Sequence, residues 1–132
     1  MPARDAVFPP GRHALYDQHR YSPAVRANGL LFVSGQVGSR GDGSPEPELE
    51  AQIRLAFANL GAVLGAAGCG FDDIVDVTSF HTDAERQLET VLKVKNEIFT
   101  QAPYPTWTAL GVNWLAGFDF EIKVVAKLPQ GN

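Results

Sequence analysis

The stretch Phe118 to Leu128 constrains the fold more than any other: Phe118, Phe120, Ile122, Val124, Ala126 and Leu128 alternate with Asp119, Glu121, Lys123, Val125 and Lys127. A strand turns successive side chains to opposite faces, so this period of two predicts one apolar face that must be covered and one mixed face. The chain has 132 residues and a hydrophobic fraction of 45%. That is enough for one ordinary core around such a strand and too little for a second domain.

The covering elements can be read from the same pattern. Ala24-Val25-Arg26-Ala27 and Leu30-Leu31-Phe32-Val33 flank Asn28-Gly29, the residue pair that best tolerates the two positive φ angles of a type I′ hairpin turn. Residues 38–47 carry loop chemistry, with Pro47 predicted at the first helical position. Ile53, Phe57, Leu60 and Leu64 then form a helical stripe that Gly68 stops. Asp73 to His81 is β-branched and aromatic and predicts a strand. Thr82-Asp83-Ala84-Glu85 matches a capping box for a second helix with Leu88, Val91, Leu92, Ile98 and Phe99 inward, which Pro103 and Pro105 end. Two strands follow, Thr106 to Trp114 and Phe118 to Leu128. Residues 1–20 show no period and predict an irregular arm; residues 21–132 predict a single domain.

The expected order is β, β, α, β, α, β, β. It fits an α+β fold with a mixed sheet and two helices on one face. The opposite face, predicted to carry Val125 beside Glu121 and Trp107, is too apolar for free solvent, which predicts burial against another copy of the chain.

The net charge of −4 argues against a nucleic-acid partner, because phosphate backbones are gripped largely by Lys and Arg. No stretch approaches the ~18 apolar residues of a membrane span. Pro9 and Pro10 break any apolar run near the start of the sequence, and Cys69 is the single cysteine; the expectation is a soluble protein in the reducing cytoplasm. Gly38-Ser39-Arg40-Gly41-Asp42-Gly43 lacks the Gly-Lys-Ser/Thr ending of a phosphate loop and reads as an ordinary connection. His13, His19 and His81 are scattered, so neither a metal nor another cofactor is expected. Ser34 lacks the Gly-x-Ser-x-Gly setting of a serine nucleophile.

Tyr21-Ser22-Pro23-Ala24-Val25, Leu31-Phe32-Val33-Ser34-Gly35-Gln36, Ala66-Ala67-Gly68 before Asp72-Asp73-Ile74-Val75, Phe80-His81-Thr82-Asp83, Pro105 and Phe120-Glu121-Ile122 together resemble the RidA/YjgF proteins from Tyr21 to Leu128. The resemblance implies a chorismate-mutase-like protomer, a homotrimer, and a small-molecule cleft at each subunit interface. Typical members hydrolyse reactive enamines and imines formed by amino-acid lyases, releasing a keto acid and ammonia. In them the arginine of a Pro-x-Arg motif grips the substrate carboxylate. Here the motif reads Pro105-Thr106-Trp107. An indole offers one N–H and no charge, so a standard 2-imino acid should bind badly. Ala109 likewise stands where the family carries a small polar or thiol group.

The resemblance assigns Glu121 to position or activate the hydrolytic water and Tyr21 to close the cleft, with Ser34 and Gly35 contributing backbone to the ligand. Read by themselves, Glu121 beside Lys123 fits a surface ion pair as well as a cleft acid, and Trp107 fits an interface anchor as well as a stacking wall. Among Arg12, Arg20 and Arg26, Arg20 is the best candidate to replace the missing charge. Two functions remain open: a hydrolase or deaminase acting on C=N or C–N bonds, or a binding module that holds a metabolite without turning it over. A ribonuclease, one of the family's older labels, fits least, since the chain is acidic and lacks a histidine pair.

Overall fold

The structure is a computed structural model that describes residues 4–11 and 14–129. Its framework is one six-stranded sheet in the order β1-β2-β3-β6-β4-β5. The strands are β1 (Asp5–Val7), β2 (Ala24–Ala27), β3 (Leu30–Val37), β4 (Ile74–His81), β5 (Thr106–Gly111) and β6 (Phe120–Lys127). All neighbours run antiparallel except β4 and β5, a parallel pair that needs a crossover and obtains it from the helix between them. The helices are α1 (Ala14–His19), α2 (Leu49–Ala66) and α3 (Ala84–Ile98). The sheet and the two long helices match the predicted α+β architecture. The arm expected to be irregular instead adds β1 to the sheet edge and folds α1 ahead of β2; its hydrophobic residues are too few to show a period, and pairing with β2 decides its conformation.

Cross-strand registers define the two faces. Val7, Ala24, Val33, Val124, Val77 and Trp107 form one continuous row across all six strands, and this face is covered by α2 and α3. Phe57, Leu60 and Leu64 from α2 and Val91 and Val94 from α3 close over Leu31, Phe120, Ile122 and Val124. The adjacent row, Ala6, Val25, Phe32, Val125, Asp76 and Thr106, looks the other way. There Phe32 is 46% exposed.

Local signals explain most element ends. Asn28 and Gly29 take φ of 53° and 77°, as the hairpin turn requires. Gly68 at φ 78° closes α2, with Cys69 N–H bonded to Leu64 O and Gly68 N–H to Gly65 O, satisfying the carbonyls the helix leaves unpaired. Three expectations need correction. Pro47 lies outside α2, whose N-cap is Glu48 with its carboxylate accepting from the N–H groups of Glu50 and Ala51. Thr82 does not cap α3; the N-cap is Asp83, and Gln87 reaches back to its N–H while donating to Thr82. Leu88 and Leu92 are 41% and 40% exposed, and the inward stripe of α3 is Gln87, Val91 and Val94.

The start of α2 is locked to the start of β6 through buried Gln52. Its amide donates to Glu46 O at 2.9 Å and its carbonyl accepts from Asp119 N–H at 2.7 Å. Gly38 passes so close that a Cβ there would collide with the Gln52 carbonyl. Backbone cannot yield as a flexible side chain would, so Gly38→Ala should destabilise the fold by about 1–3 kcal/mol, read as a lower urea midpoint with an unchanged m-value.

Candidate functional site

The site begins with a defect in the ladder between β3 and β6. Val33 pairs with Val124 and Gln36 with Ile122, so two residues, Ser34 and Gly35, oppose the single residue Lys123. Such a β-bulge frees local backbone and redirects side chains. Ser34 is anchored by its hydroxyl to Ser22 O at 2.6 Å and by its N–H to Pro23 O at 2.8 Å. These bonds draw the segment carrying Tyr21 against the bulge. Gly35 lies directly on Glu121, whose carboxylate occupies the space a Cβ would need.

Glu121 is half-buried, and its carboxylate has no hydrogen-bond or ion-pair partner among the described residues. Burial alone pushes its carboxyl above the ordinary carboxylate range. The ion pair with Lys123 that the sequence left open does not form. Tyr21 is 44% exposed and stacks edge-on to Tyr16, with ring centroids 4.8 Å apart. Burial, then Tyr16 and then Glu121, raise its phenol above the usual value. Arg20 adopts a left-handed φ of 59°, which ends α1 and lets Tyr21 N–H return to Tyr16 O.

Two cavities meet at Tyr21. One, of about 360 Å³, is lined by Tyr16, Tyr21, Gly35, Gln36 and Phe118. The other, of about 430 Å³, is lined by Arg4, Arg20, Tyr21, Phe32, Ser34 and Lys123. The structure thus gathers Glu121, Tyr21, Ser34 and Gly35, and places Arg20 beside them. Sequence reasoning missed Arg4 and Lys123 as cavity residues. Lys123 carried a readable signal: it lies two residues from Glu121 on one strand and so shares its face. Arg26 is paired with Asp5 at 3.0 Å, and Arg12 lies outside the described residues, as does His13.

Trp107 and Ala109 stand elsewhere in the protomer. Trp107 was expected on the face of Val125 and Glu121, but its register with Val77 puts it on the helix-covered face. Asn113 lies past the end of β5 and does not share that face by register. The indole N–H donates to Ser79 Oγ at 3.0 Å; Ser79 Oγ lies 2.8 Å from His81 Nε2. Ser79 Oγ thus joins the indole N–H to His81 Nε2, while His81 Nδ1 is buried and finds no partner among the described residues. Burial lowers the His81 pKa and keeps the ring neutral. Phe99 meets the indole edge-on, and Lys95 Nζ sits 4.3 Å from the indole ring centroid. Ala109, paired with Ser79 across β5 and β4, is exposed.

Among the described residues no group of three or more His, Cys, Asp or Glu side chains is placed to hold a metal ion. None of the described helices is long and apolar enough to cross a membrane.

The profile of the family described as endoribonuclease L-PSP matches residues 11–128. The RutC family protein YjgH of Escherichia coli K12 is 68% identical over 130 residues, covering 98% of this chain and 99% of that protein. The chain belongs to the RidA/YjgF family. A solved structure of protein YJGH superposes with a TM-score of 0.92 at 67% identity, covering 98% of this chain and 99% of that chain. The mouse 2-iminobutanoate/2-iminopropanoate deaminase is 34% identical over 110 residues, covering 80% of this chain and 79% of that protein. The RidA/YjgF protomer therefore accounts for the mixed sheet and its helical cover.

The Glu121 environment has a consequence for stability. A carboxyl whose proton is held more tightly in the folded state costs stability as pH rises from the unfolded value, about 4.3, through the raised folded value. Glu121→Gln has no charge to bury. Its stability relative to wild type should rise as the pH increases from the unfolded value and level off once the folded-state carboxyl has ionised, measured by urea denaturation over a pH series.

Proposed function

We propose that this RidA/YjgF protein is a cytoplasmic homotrimer whose intersubunit clefts hydrolyse a C=N bond in a small metabolite other than a standard 2-imino acid. The observation that carries the reading is Glu121: a half-buried carboxyl with no partner, resting on bare backbone at Gly35 beside the cavity that Tyr21 closes. Burial raises its pKa above the ordinary carboxylate range, the direction that favours general acid–base work. Water adds to the C=N carbon as Glu121 takes its proton and returns it to nitrogen; Glu121 then takes the carbinolamine hydroxyl proton and delivers it to the amino nitrogen as the C–N bond breaks, leaving a carbonyl and ammonia. Tyr21, Ser34 and Gly35 hold the substrate. The deaminase name of the mouse relative supports this chemistry.

Trimer formation is supported by the uncovered row of Val25, Phe32 and Val125, which is too apolar to remain in water. It also accounts for Trp107 and Ala109, which reach a site built on Tyr21 and Glu121 only if a second copy supplies them. Light scattering in dilute buffer should report a trimer; a monomer overturns the cleft.

One observation favours a second reading, a binding module without turnover. Trp107 is committed to Ser79, Phe99 and Lys95 and brings no charge to a substrate. The assay that separates the two is lyase-coupled imine decay. Wild type should hydrolyse 2-iminopropanoate roughly tenfold to a hundredfold more slowly than an arginine-bearing family member, the scale of a lost charge-assisted contact. Trp107→Arg should recover part of that rate, and Glu121→Ala should abolish it in either background. Turnover that is indifferent to Glu121 sinks the hydrolase reading. A Trp107→Arg trimer that gains neither binding nor turnover favours the binding module.

A further inference from the structure

The cavity beside the bulge has a sign that the rest of the protein does not share. In a chain of net charge −4, its lining brings together Arg4, Arg20 and Lys123 with the Ser34 hydroxyl, Tyr21 and the apolar Val25 and Phe32, and includes no carboxylate; Val25 and Phe32 belong to the row assigned above to the trimer interface, so the site lies at the edge of the intersubunit cleft. None of the three cations has an ion-pair partner among the described residues. Asp17, three residues before Arg20, and Asp76, on the same uncovered sheet face, do not line the cavity, and Asp76 accepts from the Thr106 hydroxyl. Asp5, next to Arg4 in the chain, is bound to Arg26. Glu121, two residues from Lys123 on the same face of β6, packs on Gly35 and does not line this cavity.

Three exposed cations lining one concavity give it a positive local potential for an arriving anion. The fold also positions them. Lys123 is the residue opposite the bulge and lines the cavity together with Ser34. Arg20 owes its place to the left-handed turn that seats Tyr21 on Tyr16.

We propose that this cavity binds a dianionic group of the substrate, a phosphate monoester or a dicarboxylate, and that Arg4, Arg20 and Lys123 supply the charge that Trp107 cannot. The proposal rests on the hydrolase reading for the identity of the ligand as a substrate, and on the cavity alone for its charge. Tyr21 lines both cavities, so a ligand anchored by its dianion at Arg20 and Lys123 extends past the phenol toward Gly35 and the Glu121 carboxyl. Two guanidinium forks and one ammonium with a hydroxyl suit a double negative charge better than a single carboxylate.

Calorimetry at low ionic strength tests this with inorganic phosphate, malonate and acetate as probes. Wild type should bind phosphate and malonate at least about tenfold more tightly than acetate, with affinity falling as salt is added. Arg20→Gln and Lys123→Gln should each weaken dianion binding roughly tenfold. Lys127→Gln, which removes a β6 lysine outside the cavity, should leave it unchanged. Thermal unfolding confirms that each variant is folded, and Lys123→Arg should retain binding. A stronger response to phosphate than to malonate identifies the dianion as a phosphate ester, and the reverse identifies a dicarboxylate. Equal affinity for acetate, no binding, or indifference to both glutamine variants overturns the proposal. Imine decay measured on the same proteins keeps the two readings apart. Glu121-dependent turnover with no dianion site leaves the hydrolase standing and removes this proposal, whereas a dianion site without turnover does the opposite.

Discussion

Burial of one face of β6 is the constraint on which the rest depends. That strand is hydrogen-bonded on both edges, to β3 and to β4, and Phe120, Ile122, Val124 and Ala126 are all buried beneath the helices. A shift of one residue would carry these four side chains to the other face and bring Lys123 and Glu121 into the core. The cost of burying those charges unpaired sets the register of the whole sheet. The registers of β3 and β4 follow from it, and through them those of β2, β1 and β5.

The same constraint makes the bulge meaningful. With β6 held by its buried face, the extra residue has to be absorbed by β3, at Ser34 and Gly35. Gly35 has no side chain to resist the approach of Glu121, and Ser34 has a hydroxyl with which to hold the Tyr21 segment. The site is therefore built from a rigid central strand, a local irregularity and a strap drawn across it. Such a support holds a carboxyl and a phenol near one another without requiring either to be paired.

Trp107 shows how a substituted position acquires a different set of contacts. At the sheet edge a charged side chain would be free to point toward a ligand. The indole N–H is instead held by Ser79, which is itself bonded to His81, and the ring is contacted by Phe99 and Lys95. Its N–H is used inside the protomer and is not free for a ligand. The cations nearest Tyr21 belong to β6, to the turn after α1 and to the residue before β1.

The period of two in β6, the Asn28-Gly29 turn, the α2 stripe and the Gly68 stop were legible because each depends on a residue and its immediate neighbours. Motif resemblance likewise singled out Glu121, Tyr21, Ser34 and Gly35, which the structure does gather. The short elements β1 and α1 were not legible, because they owe their form to β2 and to the Phe8, Tyr16 and Tyr21 rings. The inward stripe of α3 was misread since Leu88 and Leu92 have the right spacing, and the helix's rotation about its axis is set by contacts with α2 and the sheet. The face of Trp107 was misassigned for a related reason: alternation tells which residues share a face, and only register with a neighbouring strand tells which face it is. The convergence of Arg4, Arg20 and Lys123 was beyond sequence altogether, because proximity between a chain end, a turn and a central strand exists only once the sheet has closed around its buried core.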